Sequence, residues 1–246
     1  MHSAKAQFSI RAIHFDMDGT LVFHPTQNLH YQSWVEVLKK YKLNFDMATF
    51  NQYFFGKANE QISNFIKHEL KLDPKTLSFE KERYYREMMV PHHLEFVPGC
   101  EAFLTQLQTM NICTGIITSA PYKNLETTWK HLNLARFFKP ELVITEEDVM
   151  ETKTYKPHAA PFLELMQRAK IPKEQTVFIG DSNADIAGAR NAGVFSVGIA
   201  TNHSVQELLD LGANLAFKHY EEIDLRMLDY AFVESKSFKA PSNIGN

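Results

Sequence analysis

The chain has 246 residues, 44% hydrophobic and 22% charged, with a formal net charge of -3 and a pI of about 6.4. That length suffices for one large domain or a main domain with an insertion, and the acidic balance argues against the basic surface that a nucleic-acid partner requires. Cys100 and Cys113 stand in no metal-ligand spacing, the first ten residues lack the apolar core of a signal peptide, and no run approaches the eighteen or so apolar residues of a membrane span; the expectation is a soluble cytoplasmic protein, monomeric or dimeric, with no membrane partner.

Taken in chain order, the first apolar run is "AIHF" at 12–15, which leads straight into Asp16, Asp18 and Gly19 of "DMDGTL". Roughly a hundred residues then pass before the next core strand, far more than one crossover helix needs. That interval carries helical periodicity: Tyr31, Trp34, Val35 and Leu38 fit one face, Ile62, Phe65, Ile66 and Leu70 a second, and a third pattern precedes Pro91. Residues 24–97 therefore read as an inserted helical cap domain, with Pro98 and Gly99 marking the return before a helix that starts near Cys100. Beyond it, "ICTGII" ends at Thr118 and Ser119, "LVI" covers 142–144, "TVFI" precedes Gly180, and "VFSVGI" covers 194–199, with helical patterns at Leu125–Leu134, Pro161–Lys170 and Ala184–Ala192 between them. Strands alternating with helices predict an α/β fold, a doubly wound parallel sheet, formed by 1–23 and 98–246. The tail from Glu234 is polar, rich in turn formers and expected to be mobile.

In such a sheet, ligands bind beyond the carboxyl ends of the strands. Those ends collect Asp16 and Asp18, Thr118 and Ser119, and Asp181, Ser182 and Asp185, with Lys156 preceding a helix between them. Clustered carboxylates repel one another unless a cation or a shared proton offsets them, so Asp16 with Asp181 suggests a hard divalent ion, best Mg2+. A cation also screens a carboxylate approaching a phosphate, and Lys156 and the Thr118 hydroxyl suit the remaining phosphate oxygens, which points to phosphoryl transfer through an aspartyl phosphate.

"DMDGTL", "ITSA", "YKP" and "GDSNAD", in that order, resemble the four motifs of the haloacid dehalogenase-like (HAD) hydrolase superfamily, over residues 11 to about 200, and the insertion is similar to that family's helical cap placed after the first motif. The resemblance implies Asp16 as nucleophile, Asp18 as general acid and base, Thr118, Ser119 and Lys156 as phosphate ligands, and Asp16, Asp181 and the Asp18 main-chain carbonyl as magnesium ligands. Asp185 would orient Lys156 or a metal-bound water. Asp18 argues for phosphate esters, since the family's dehalogenases and phosphonate hydrolases lack that second aspartate.

Within the family, "GDSNAD" is similar to the form found in phosphoglycolate phosphatases and small sugar phosphate phosphatases. Sugar phosphomutases of the β-phosphoglucomutase type share a cap histidine that His30 would match, but usually carry an arginine where Asn59 stands and a glutamate where Gly180 stands. Both departures favour hydrolysis of a small phosphorylated metabolite, with phosphomutase as the alternative and a catalytically silent binding module as a further one. His30 and the cap-loop residues Gly56, Lys57 and Asn59 are the candidate substrate contacts. A departure at the hinge is that Phe23 and His24 stand where an aspartate often follows "GTLV".

Each candidate also has a plainer reading. Asp16 and Asp18 would serve an acidic turn, Thr118, Ser119 and Asp185 would cap helices, and His30 and Lys57 would be solvated polar positions. His14 alternates with apolar residues and reads as a packed histidine. Tyr53, Phe54 and Phe55 read as cap core, and His92 and His93 as an extended linker surface.

Overall fold

The computed structural model describes residues 8–23, 26–54, 59–92 and 94–237. Six parallel strands form the main sheet: β1 (Ala12–Phe15), β4 (Cys113–Ile117), β5 (Val143–Ile144), β6 (Thr176–Gly180), β7 (Phe195–Ile199) and β8 (Leu215–Phe217), in the order β5-β4-β1-β6-β7-β8. Ala12 pairs with Cys113 on one side and Thr176 on the other. β1, β6 and β7 are buried at every residue, as expected of parallel strands covered by helices on both faces. A two-stranded antiparallel ribbon, β2 (Val22–Phe23) with β3 (Glu95–Phe96), leaves the sheet just after β1.

The helices between these strands are α5 (Cys100–Thr109), α6 (Tyr122–His131), α7 (Glu146–Met150), α8 (Ala160–Ala169), α9 (Asn183–Ala192) and α10 (Val205–Asp210), followed by α11 (Leu225–Ser237). α8 buries Phe162, Leu165 and Met166 against Ile117, Ile144 and Phe178 of the sheet, and the edge-on packing of Phe162 on Phe178, 4.7 Å between ring centroids, suits the aromatic quadrupole. α11 corrects the expectation of a mobile tail from Glu234: Asp224 caps its start by accepting from Arg226 N at 2.7 Å, and Leu225, Leu228 and Phe232 form its buried stripe. The helix therefore carries Glu234–Ser237 as its last turn. β8 and α10 were too short to announce themselves by periodicity.

Residues 24–94 form a second compact unit, while 1–23 and 95–246 form the first. The expected insertion ran to 97; the return strand β3 belongs to the sheet-bearing unit. The second unit contains α1 (Thr26–Lys39), α2 (Met47–Tyr53), α3 (Asn59–His68) and α4 (Pro74–His92). Its core is Trp34, Val37, Leu38, Phe50, Phe54, Ile66 and Leu77. α2 is started by Asp46, whose carboxylate accepts from Thr49 N at 2.8 Å, a capping signal without a long periodic pattern. α4 runs through Pro91 to His92, so His92 is helical rather than extended. Phe54 is core, whereas Tyr53 is part-exposed and stacks on Phe65 at 4.3 Å. His24, Phe55, Gly56, Lys57 and His93 lie outside the described residues. Among the described residues, no helix is long and apolar enough to cross a membrane.

His14 sits in the middle of β1, 2% exposed, and neither ring nitrogen has a hydrogen-bond partner among the described residues. Burial pushes its pKa down to about 3, so the ring is neutral in the fold. Because the unfolded chain takes up that proton near pH 6.5 and the folded chain does not, His14 costs stability progressively as pH falls from 6.5 towards 3. His14→Leu removes two unpaired buried polar atoms at similar volume. It should raise the melting temperature at pH 7.5 by a few degrees, corresponding to about 1 kcal/mol, and by more at pH 5; a thermal melt below the native value at both pH values would refute this account.

Candidate active site

The strand order is that of a doubly wound sheet whose winding reverses between β1 and β6, the point at which such sheets characteristically bind ligands. Asp16 follows β1 and Asp181 follows β6, one on each side of that point. Asp16 N donates to Ile179 O at 2.9 Å, which continues the ladder to the last residue before the loop. Gly19, at φ +81°, then turns the chain back, and a Cβ there would lie 2.3 Å from Asp181 Oδ2. Only glycine allows this approach.

Lys156 Nζ donates to Asp16 Oδ1 at 2.5 Å, to Asp185 Oδ1 at 2.7 Å and to the Ile117 carbonyl at 3.2 Å. All three of its hydrogens are thereby engaged. The second oxygen of Asp185 accepts from Ser182 N at 3.1 Å and from Ser182 Oγ at 2.5 Å, closing a capping box at the start of α9. The helix-capping reading and the lysine-orienting reading of Asp185 thus hold together, one on each oxygen. Thr118 and Ser119 do not cap α6: its N-cap is Pro121, and Thr118 Oγ1 instead accepts from Ala120 N at 3.0 Å. Thr118 is buried, Ser119 is exposed, and both line a small pocket with Lys156 and Tyr155.

One carboxylate oxygen from each of Asp16, Asp181 and Asp185 lies within 4.8 Å of the others. Asp185 is therefore as near the cluster as the two aspartates expected to hold metal. Three buried carboxylates against one ammonium leave a surplus of two negative charges, before half-buried Asp18 is added. Burial raises the Asp16 pKa well above its ordinary value; Lys156 pulls it down, but Asp185, Asp181 and Asp18 push it up again. Burial and Asp185 likewise push Asp181 up to about 7, against the Asn202 amide, the charge of Lys156 and the nearby Thr201 hydroxyl. Burial alone would lower the Lys156 pKa, but Asp16 and Asp185 outweigh it and hold the ammonium charged. The site is short of positive charge, and its donors are all hard oxygens. Oxygens around an octahedral magnesium ion stand about 3–4 Å apart, so a small closure of the cluster would fit one.

Residues 13–199 match the model of the family described as haloacid dehalogenase-like hydrolase. The chain belongs to that family. Pyrophosphatase PpaX of Oceanobacillus iheyensis is 28% identical over 207 residues, covering 78% of this chain and 84% of the relative. Phosphoglycolate phosphatase of Escherichia coli K12 is 32% identical over 130 residues, covering 53% of this chain and 49% of the relative. Among solved structures, a HAD hydrolase of family IA, variant 3, from Entamoeba histolytica superposes with a TM-score of 0.80 at 26% identity, covering 91% of this chain and all of that one.

In this HAD-like core, Gly180 has a steric reason. A Cβ at that position would lie 2.4 Å from Asp185 Cβ and 2.7 Å from its Cγ, so no larger residue fits while Asp185 holds Lys156. Thr20 of the first motif and two residues outside the motifs also reach the site. Thr20 Oγ1 is 3.4 Å from Asp181 Oδ1, and Thr201 and Asn202 contact Oδ2. The signal for the last two is only their position at the carboxyl end of a core strand. In the helical unit, His30 stacks on Tyr85 at 4.2 Å, and its Nδ1 accepts from Lys81 Nζ at 2.7 Å. Lys81 is 6% exposed and also pairs with Glu82 at 2.6 Å. Sequence reasoning passed over Lys81 because it lies in the charged run "FEKER". Asn59 opens α3, its side chain outside the described residues, as are Gly56 and Lys57.

Gly180→Ala should force Asp185 off Lys156 or strain β6, lowering stability by about 1–3 kcal/mol. Thermal unfolding of the variant checks this; a melting temperature equal to the native one would show that Asp185 moves without cost.

Proposed function

We propose that this chain is a magnesium-dependent phosphatase that hydrolyses a small phosphorylated metabolite, a sugar phosphate or a phosphoglycolate-like acid, in the cytoplasm. The observation that carries the reading is the buried ammonium of Lys156 bridging Asp16 and Asp185 beside Asp181. That arrangement sets the Asp16 carboxylate against an ammonium and next to a position suited to a divalent cation. Two relatives whose names describe cleavage of phosphate from small molecules support the class of reaction.

In this reading an Asp16 oxygen attacks phosphorus, forming an acyl phosphate as the bond to the leaving oxygen breaks. Asp18, half-buried and two residues on, gives its proton to the departing alkoxide. It then takes a proton from the water that attacks the acyl phosphate, releasing inorganic phosphate and restoring Asp16. Lys156 favours the ionised form of Asp16 and offsets charge on the phosphoryl oxygens, which the Thr118 hydroxyl and the Ser119 amide also receive. A bound Mg2+ would supply charge neutralisation between the carboxylates and the phosphoryl group, held by Asp16, Asp181 and the Asp18 main-chain carbonyl, with Asp185 adjacent.

A phosphomutase reading is favoured by one observation, the His30–Lys81 pair, which would suit a sugar hydroxyl. The absence of room for a side chain at Gly180 weighs against it.

The test is phosphate release from a panel of phosphorylated metabolites, with and without Mg2+, for the native protein and Asp16→Asn. Release that needs Mg2+ and falls by at least about a thousandfold in the variant is the expected result. Isomerisation of a sugar phosphate that is stimulated by a bisphosphorylated sugar would replace phosphatase by phosphomutase, and inactivity in both assays would refute the catalytic reading.

A further inference from the structure

The two oxygens of Asp181 are held differently. Oδ2 accepts from Asn202 Nδ2 at 2.5 Å and lies 3.2 Å from Thr201 Oγ1, whereas Oδ1 has only the longer contact from Thr20 Oγ1, at 3.4 Å, among the hydrogen bonds of the described residues. Thr201 and Asn202 follow β7, outside all four motifs. A hydroxyl has one hydrogen to give, and the Gly19 carbonyl, at 2.6 Å, is the nearer acceptor for Thr201. Thr201 therefore ties down the loop that follows Asp18, while Asn202 ties down Asp181. Gly19 makes this possible, since a Cβ there would also lie 2.7 Å from Asn202 Nδ2. The buried hydroxyl of Tyr220 donates to the Thr20 carbonyl at 3.1 Å, fixing the same loop one residue further on.

We infer that Thr201 and Asn202 form a clamp that presents Asp181 to a divalent cation through Oδ1 alone and locks the Asp18 loop against it. Both act as positioning residues, and the inference rests on the magnesium-dependent reading above. A carboxylate free to rotate offers one oxygen, the other, or both, whereas magnesium demands a single oxygen in near-ideal octahedral geometry. Occupying Oδ2 with an amide donor removes the unwanted alternatives before the ion arrives. The clamp also extends the link between two ligand-bearing segments beyond the last ladder bond, from Asp16 N to Ile179 O, into the loop after β1 and the end of β6. Groups that orient metal ligands typically govern metal affinity by about 10–100-fold.

The experiment is titration of Mg2+ into the full chain without substrate, followed by calorimetry, for the native protein, Asn202→Ala, Thr201→Val and Thr201→Ser, with a thermal melt of each in the absence of metal. Asn202→Ala and Thr201→Val should weaken Mg2+ binding about tenfold or more. Thr201→Ser, which keeps the hydroxyl, should bind like the native protein, and metal-free melting temperatures should stay close together. A general structural role would lower the melting temperatures without this split between Val and Ser. Should Thr201→Val fail to fold, Asn202→Ala, at an exposed position, decides the matter alone. Native Mg2+ affinity in both Asn202→Ala and Thr201→Val overturns the clamp and leaves the magnesium reading intact. A native protein without saturable Mg2+ binding overturns that reading and the clamp with it.

Discussion

The ammonium of Lys156 is the constraint around which this site is arranged. It is 5% exposed, touches Asp16 and Asp185 at 2.5 and 2.7 Å, and spends its third hydrogen on the end of β4. Taking such charges out of water costs several kcal/mol per ion, and the cost is offset only where geometry is good and every donor is satisfied. Here each donor is. Removing any one partner would strand a buried charge, so the ends of β1 and β4 and the start of α9 are held in one fixed relation. The glycine at 180 follows from that relation, since a side chain there would displace Asp185 from it, and the glycine at 19 stands in the same way against Asp181.

The sheet supplies the rest of the placement. With β1 central and the order reversing between β1 and β6, residues distant in sequence come to the same edge because every strand runs the same way. Asp16, Thr118, Asp181 and Thr201 all follow the carboxyl ends of strands, where Asp16 lies close to Asp181, Thr201 contacts Asp181 and Thr118 lines a pocket with Lys156, without any loop having to reach far. The capping boxes that start α9 and α10 reuse polar residues at those same ends, so local helix initiation and assembly of the site draw on one set of positions.

This explains what could be read from the chain. The strands at 12–15, 113–117, 176–180 and 195–199 are short apolar runs bounded by polar residues, and their type and succession along the chain were legible from that pattern. So were Asp16, Asp181, Asp185 and Lys156, since carboxylates and a lysine at several strand ends are hard to reconcile with a merely solvated surface. Asn202 and Thr201 were not legible, because an amide and a hydroxyl in a turn are commonplace until the coordinates place Asp181 beside them. Lys81 was hidden for the opposite reason: a lysine in a charged run reads as solvated, and only the packing of α1 on α4, with His30 stacked on Tyr85, encloses it. α11 was misjudged past Glu234 because the polar face of an amphipathic helix resembles a disordered tail when its buried stripe ends at Phe232.

The surplus negative charge explains why the supporting bonds are needed at all. Burial, with the charge of Asp185 beside both, raises the pKa values of Asp16 and Asp181, so protons would compete with a divalent cation for the same oxygens. Were the carboxylates free to turn, each could relieve the repulsion by rotating towards solvent, and the cation would have to gather them again at an entropic cost. Lys156 prevents this for Asp16 and Asp185, and Asn202 does so for Asp181. Repulsion is thereby kept in the fold rather than relaxed, and a divalent cation held there would recover that free energy on binding.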